Sequence, residues 1–294
     1  MNDNARGALI MNASMAAFTV NDACMKAVTQ TVPTFEAAAL RGVVVVLALM
    51  LVARRMGGLH LRLPAREARI VAWRVVGEVA STVTYLIALK HMPLANISAI
   101  MQSLPLAVTL GAAIFFGEKI GWRRALAIGI GFLGVLLIVR PGTEGFDQWS
   151  LLALASVGFV VLRDLTTRGL PRSVPTVTVA ICSAGSVGVF SAVMMPFDGG
   201  APPIAMAELG VILIAAACLV VGYLAAVGAM RVGEVGFVAP FRYTSLVWAI
   251  ALGWLVFRQW PAGPTLAGAA IVVATGIFTL YRERLARRAA TARG

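Results

Sequence analysis

Long apolar runs of about twenty residues alternate along the chain with short polar segments that hold Pro, Gly or Arg. A bilayer core about 30 Å thick is crossed by roughly 20 helical residues rising 1.5 Å each. Runs of that length fall at about 8–26, 35–53, 70–90, 94–116, 123–140, 149–168, 175–196, 206–230, 235–257 and 264–281. They predict ten transmembrane helices with short loops, several marked by proline, as at Pro33, Pro64, Pro93, Pro141, Pro171, Pro202 and Pro261. The first run follows Asp3 and lacks a small-residue cleavage site, so it reads as a retained helix and not a secretory signal. Polar or ionisable residues interrupt the first, sixth and ninth runs most.

Composition sharpens this reading. Hydrophobic residues make up 60% of the 294 and charged residues 13%, with mean hydropathy +0.87. A soluble domain has about 45–50% apolar and about 25% charged residues, so lipid must solvate most of this surface. The net charge of +12 does not mark a nucleic-acid binder, because the basic residues cluster between apolar runs and at the C-terminus. With the N-terminus inside, 18 of the 25 Lys and Arg fall on the cytoplasmic side. Four (Lys26, Lys90, Arg140, Arg258) fall opposite, and Arg41, Arg74 and Arg242 lie within spans. That bias predicts an even number of spans, both termini cytoplasmic, in a cytoplasmic (inner) membrane. The basic loops and the tail from Arg282 to Arg293 are expected to meet anionic lipid.

Weak internal similarity divides the chain. Asp22 precedes Pro33 by 11 residues, as Asp164 precedes Pro175. Phe115-Phe116-Gly117-Glu118 ends the fourth run, as Leu255-Val256-Phe257-Arg258 ends the ninth. Five spans per half is odd, so the second half must enter the membrane from the opposite side. The expected architecture is all-α and polytopic: ten transmembrane helices as two inverted five-helix repeats, 1–142 and 143–294. Inverted repeats let two equivalent halves exchange conformations around a site near the midplane.

An ionisable residue within a span costs roughly 2.5–3.5 kcal/mol on insertion scales, so it faces a cavity or a partner. Asp22, Arg41, Arg74, Glu78, Asp164 and Arg242 are such residues. Arg74 and Glu78 share a helix face and form either a structural ion pair or a substrate contact. Arg41 is expected to pair with Glu36 or Asp22, and Asp164 reads as a solvated helix end. Arg242 lies in Pro240-Phe241-Arg242-Tyr243-Thr244, where proline removes a backbone donor and an arginine fork suits a carboxylate. A 140-residue offset pairs it with Gln102, which is close to Pro105. The candidate substrate-binding residues are therefore Asn12, Phe18, Asp22, Glu78, Tyr85, Gln102, Tyr223, Arg242, Tyr243 and Trp248, with Pro105 and Pro240 as hinges. Cys24, Cys182 and Cys218 read as small buried residues, and His60 and His91 have no ligand set around them. Gly129-Ile130-Gly131-Phe132-Leu133-Gly134 fits a dinucleotide pattern, but no strand precedes it. No cofactor and no metal is expected.

The chain resembles the drug/metabolite transporter superfamily of EamA type. The resemblance is carried by Phe18-Thr19-Val20-Asn21-Asp22 with Lys26, Phe35-Glu36-Ala37 through Leu40-Arg41, Ala88, Pro105, Gly117-Glu118-Lys119 and Gly129/Gly131/Gly134 up to Arg140-Pro141-Gly142. It is clearest in residues 15–142; the second half departs from it, with Arg258 where the family has an acidic residue. The resemblance implies ten helices, a substrate cavity and export of amino acids, including aromatic ones, or exchange of metabolites such as nucleotide derivatives. The expected function is secondary transport of small amphipathic metabolites, amino acids foremost, by alternating access, as a monomer or homodimer. Uptake or exchange of another metabolite is the alternative within transport, and an integral-membrane enzyme is the alternative outside it. Proton coupling through Asp22 or Glu78 stays open.

Overall fold

The computed structural model describes residues 2–55, 64–118, 120–143, 147–171, 174, 176–199 and 203–291. The expectations placed on His60, Arg62, Lys119, Arg172, Pro175, Pro202 and Arg293 lie outside them. Twelve α-helices follow one another: α1 (Asp3–Val28), α2 (Thr34–Arg55), α3 (Ala65–His91), α4 (Leu94–Met101), α5 (Leu104–Phe116), α6 (Trp122–Val139), α7 (Trp149–Arg168), α8 (Thr176–Met194), α9 (Met206–Val232), α10 (Val235–Val238), α11 (Thr244–Phe257) and α12 (Gly263–Thr291). Short 3-10 turns occupy Met195–Phe197 and Ala239–Tyr243, and no strand forms among the described residues.

Nine segments of the described residues are long and apolar enough to cross a bilayer. Two of them are interrupted: Leu94–Phe116 holds α4 and α5, and Gly236–Phe257 holds α10, the second 3-10 turn and α11. Helix α1, 26 residues long, is the tenth by length, diluted by Asn12, Asn21, Asp22 and Lys26. The chain is an all-α polytopic membrane protein. Its exposed apolar side chains include Ile114, Val189 and Val247, each about two-thirds exposed at 67%, 66% and 65%. Water would not tolerate such a surface.

The chain divides into two compact units, Met1–Thr19 with Met92–Leu154 and Val221–Gly294, and Val20–His91 with Ala155–Val220. Each draws on both halves of the sequence, and α1, α7 and α9 pass from one unit to the other.

In the first unit α6 packs on α12 and α4 on α11. Lipid tails are as apolar as leucine, so helices associate in a membrane by close van der Waals contact and gain from small residues. Gly134 and Gly268 supply that contact: a β-carbon on Gly134 would stand 2.8 Å from the Gly268 carbonyl oxygen. Met11, Met15, Ala229 and Val238 form a buried cluster with Ile10, Phe18, Met230 and Phe241 against it.

In the second unit α2 and α3 pack on α8. A β-carbon on Gly42 would lie 3.0 Å from the Gly188 α-carbon, and one on Gly77 2.9 Å from the Arg163 backbone nitrogen. The Ser156 hydroxyl donates to the Ser81 carbonyl at 3.0 Å, tying α7 to α3. Lys26, assigned to the far side by the charge count, is 4% exposed and its Nζ donates to the Leu89 carbonyl at 3.0 Å. It is a packed residue of α1 and not a loop charge. The three cysteines are free and half-buried, more open than their apolar surroundings predict.

Candidate functional site

Two proline-directed breaks organise the first unit. Proline lacks an N–H and its ring clashes with the carbonyl four residues back. Helix α4 accordingly stops at Met101 and α5 restarts with Pro105 in its first turn. Pro240 likewise begins the 3-10 turn ahead of α11. The breaks meet: Gln102 Nε2 donates to the Tyr243 carbonyl at 3.2 Å and to Ser245 Oγ at 2.8 Å. Gln102 is 7% exposed.

Around these breaks the expected residues pair off. Trp248 Nε1 donates to Asn12 Oδ1 at 3.0 Å. The rings of Phe18 and Tyr223 meet edge to face, 5.2 Å between centroids at 79°. Ser14 Oγ donates to the Gly222 carbonyl at 2.7 Å, and Phe18 Cδ1 lies 2.7 Å from where a β-carbon on Gly222 would sit. Tyr243 is buried, its hydroxyl has no hydrogen-bond partner, and it presses on Gly276. Arg242, in contrast, is exposed. Gln102 bonds to Tyr243 and Ser245, which follow Arg242 in the chain, and the two side chains paired by the 140-residue offset differ in their burial.

Two polar constellations occupy the second unit. Asp22 accepts a hydrogen bond from the Tyr85 hydroxyl at 2.7 Å and another from Asn21 Nδ2 at 2.9 Å. Arg41 Nη1 donates to Asn21 Oδ1 at 3.2 Å, so Asn21 links the guanidinium to the carboxylate. Glu78 anchors the other constellation. Its carboxylate lies 3.5 Å from Arg74 Nη1 and 3.4 Å from Arg163 Nη1. Arg163 Nε also bonds Asp164 Oδ1 at 2.9 Å, and Arg74 reaches Thr167 Oγ1 at 3.0 Å and Ser183 Oγ. Asp164, expected as a solvated helix end, is bridged by Arg163 with its side chain 37% exposed.

Sequence reasoning missed Asn21 and Ser245 because a short polar residue in an apolar helix usually serves helix packing. Arg163 carried a visible signal, an ionisable residue inside a span beside Asp164. Among the described residues no group of three His, Cys, Asp or Glu side chains is placed to hold a metal. Each unit thus places hydrogen-bond donors, acceptors and ring faces inside apolar helices, the kinds of group that a small polar molecule needs in a binding site.

Comparison with known proteins agrees. One relative, the riboflavin transporter of Rhizobium johnstonii, is 27% identical over 71% of this chain and 69% of its own length. The pseudopaline exporter of Pseudomonas aeruginosa is 25% identical over 91% of this chain and 93% of its own. The S-adenosylmethionine uptake transporter of Rickettsia conorii is 25% identical over 66% of this chain and 65% of its own. A solved crystal structure superposes with a TM-score of 0.64 over 96% of this chain and 99% of that one, at 21% identity, and so shares the fold. Residues 5–140, the first half of the chain, match the EamA-like transporter family.

Proposed function

We propose that this protein exports small amphipathic metabolites, amino acids foremost, across the cytoplasmic membrane by alternating access. One observation carries the reading: two interrupted helices meet at their breaks, where Gln102 spans to the Tyr243 carbonyl. Non-helical backbone at membrane depth is tolerated only where protein buries it or where it lines a cavity. Secondary transporters set such discontinuous helices at their substrate sites. Gln102, Tyr243, Asn12, Trp248, Phe18 and Tyr223 would contact the cargo, Pro105 and Pro240 would act as hinges, and Arg242 would take a carboxylate at the exposed rim. Asp22, Tyr85 and Glu78 would serve binding or proton coupling.

The division into repeats 1–142 and 143–294, inverted with both termini cytoplasmic, belongs to the same proposal. It is supported by equivalent pairs in contact: the second span on the seventh (α2 on α8), the fourth on the ninth (α4 on α11) and the fifth on the tenth (α6 on α12). Export is favoured by the exporter relative, which aligns over 91% of this chain.

A second reading, uptake or exchange of another metabolite, is supported by the relatives named for riboflavin transport and S-adenosylmethionine uptake. The Phe18–Tyr223 ring pair would suit a planar ligand.

The test is counterflow in proteoliposomes. Labelled aromatic amino acids, riboflavin and S-adenosylmethionine are each offered to vesicles preloaded with unlabelled compound. Saturable, trans-stimulated entry of an amino acid supports the first reading, and of either other compound the second. Flux linear in concentration, or none, would sink carrier function. Cysteine-accessibility labelling at both termini tests the orientation.

A further inference from the structure

Helices α6 and α12 touch unevenly. At Gly134 and Gly268 the backbones are in contact, and a β-carbon on Gly268 would reach Ile138 Cγ1 at 2.8 Å. Toward the start of α6 they part around a groove of about 410 Å3, walled by Trp122, Leu126 and Ile130 on one side and Ala274 and Phe278 on the other. Trp122 and Leu126 are 71% and 57% exposed, and nothing stands within 4 Å of where a β-carbon on Gly129 would lie. From Trp122 to Ile130 the groove runs about 12 Å along the helix at 1.5 Å per residue.

Apart from Arg123, its walls offer no free polar group. The one hydroxyl, of Thr275, donates back to its own helix, to the Ile271 and Val272 carbonyls at 2.8 and 3.1 Å. A polar metabolite would lose its hydration there without compensation. The charge sits at the mouth, where the Arg123 guanidinium lies 5.3 Å from the centroid of the Trp122 ring. Arg124 follows in sequence, and Arg282 comes one turn after Phe278. Glu118 is the acidic residue of the adjoining loop, so cations outnumber it. Trp and Arg together mark the depth of lipid headgroups.

We propose that this groove binds an anionic phospholipid, with one acyl chain lying along α6 from Trp122 to Ile130 and the phosphate held by Arg123. Arginine suits phosphate because its planar fork donates two parallel hydrogen bonds. The site is separate from the helix breaks, so it stands whether or not the transport reading does.

Native mass spectrometry of the full chain in mild detergent tests it, with phosphatidylglycerol and phosphatidylcholine of identical acyl chains titrated separately. The first phosphatidylglycerol is expected to bind about fivefold tighter, the factor for roughly 1 kcal/mol per basic residue near an anionic headgroup. Arg123→Gln should erase that preference while phosphatidylcholine binding stays. Ala274→Leu, which fills the groove, should weaken both lipids. Should Ala274→Leu fail to fold, quenching of Trp122 by brominated chains in a variant with the other five tryptophans replaced by Phe reads the same contact. Equal affinities in the parent protein, a preference that survives Arg123→Gln, unquenched Trp122, or a dimer that occludes the groove would each overturn the proposal.

Discussion

The side-chain amide of Gln102 donates to the backbone carbonyl of Tyr243, joining two helices at the points where proline interrupts each. Interhelical bonds of this kind in membranes average about 0.6 kcal/mol with a maximum near 1.7. Gln102→Leu is therefore expected to lower unfolding free energy by about 1 kcal/mol. Transport should fall more than tenfold if the junction contacts cargo. Thermal unfolding and counterflow on one preparation separate the two effects; a normal rate in a correctly folded variant would remove Gln102 from the site.

Tyr243 and Gly276 set up a double-mutant cycle. A methyl group at Gly276 would collide with the buried, unpartnered Tyr243 hydroxyl. Gly276→Ala is expected to destabilise the protein by about 2 kcal/mol, in the range for overpacking. Tyr243→Phe alone should be neutral or stabilising, because it removes an unsatisfied buried group. The double variant should recover only part of the loss, because the ring carbon Cζ that Phe keeps would still lie 2.5 Å from that methyl group. If Tyr243→Phe also leaves substrate affinity unchanged, the hydroxyl has no role in binding.

Glu78 holds two guanidiniums, so its loss leaves both without their shared carboxylate. Removing one partner of a buried pair costs about 3–5 kcal/mol. With these side chains 13–23% exposed, the lower end applies, about 3 kcal/mol for Glu78→Gln. Either Arg74→Gln or Arg163→Gln should cost less, since the other arginine still faces the carboxylate. Chemical unfolding of the three variants checks this order.

Arg258 closes α11 in the left-handed region at φ 56°, a position that Gly117 fills at φ 66° after α5. A β-carbon makes that conformation unfavourable, by roughly 1–2 kcal/mol, whereas glycine adopts it freely. Glycine also gains freedom in the unfolded chain, which offsets part of the benefit. Arg258→Gly is expected to stabilise by about 0.5 kcal/mol, seen as a small rise in melting temperature.

Much of this architecture is legible from the sequence, for reasons that differ by residue. Span positions follow from the length a bilayer demands, and the breaks at 101–104 and 239–243 from Pro105 and Pro240. The Arg74–Glu78 pair is legible from its four-residue spacing, whereas Arg41 binding to Asn21 and Arg163 joining Glu78 are not. Those partners lie 20 or 85 residues apart, and periodicity along one helix says nothing of which neighbour it meets. Gln102 and Arg242, paired by the 140-residue offset, differ in burial for a related reason. A constant offset in sequence fixes rank within a repeat, while burial is decided by what packs above each residue.

Neither compact unit can be assembled from the first 142 residues as they leave the ribosome, because each needs segments made later. The unit containing Val20–His91 lacks its remaining helices until residue 220 has been synthesised, and the other waits for the segment beginning at Val221. Until then, helices already inserted expose small-residue faces such as that around Gly42. That interval is when the nascent protein is most open to mispairing and to the proteases that clear it.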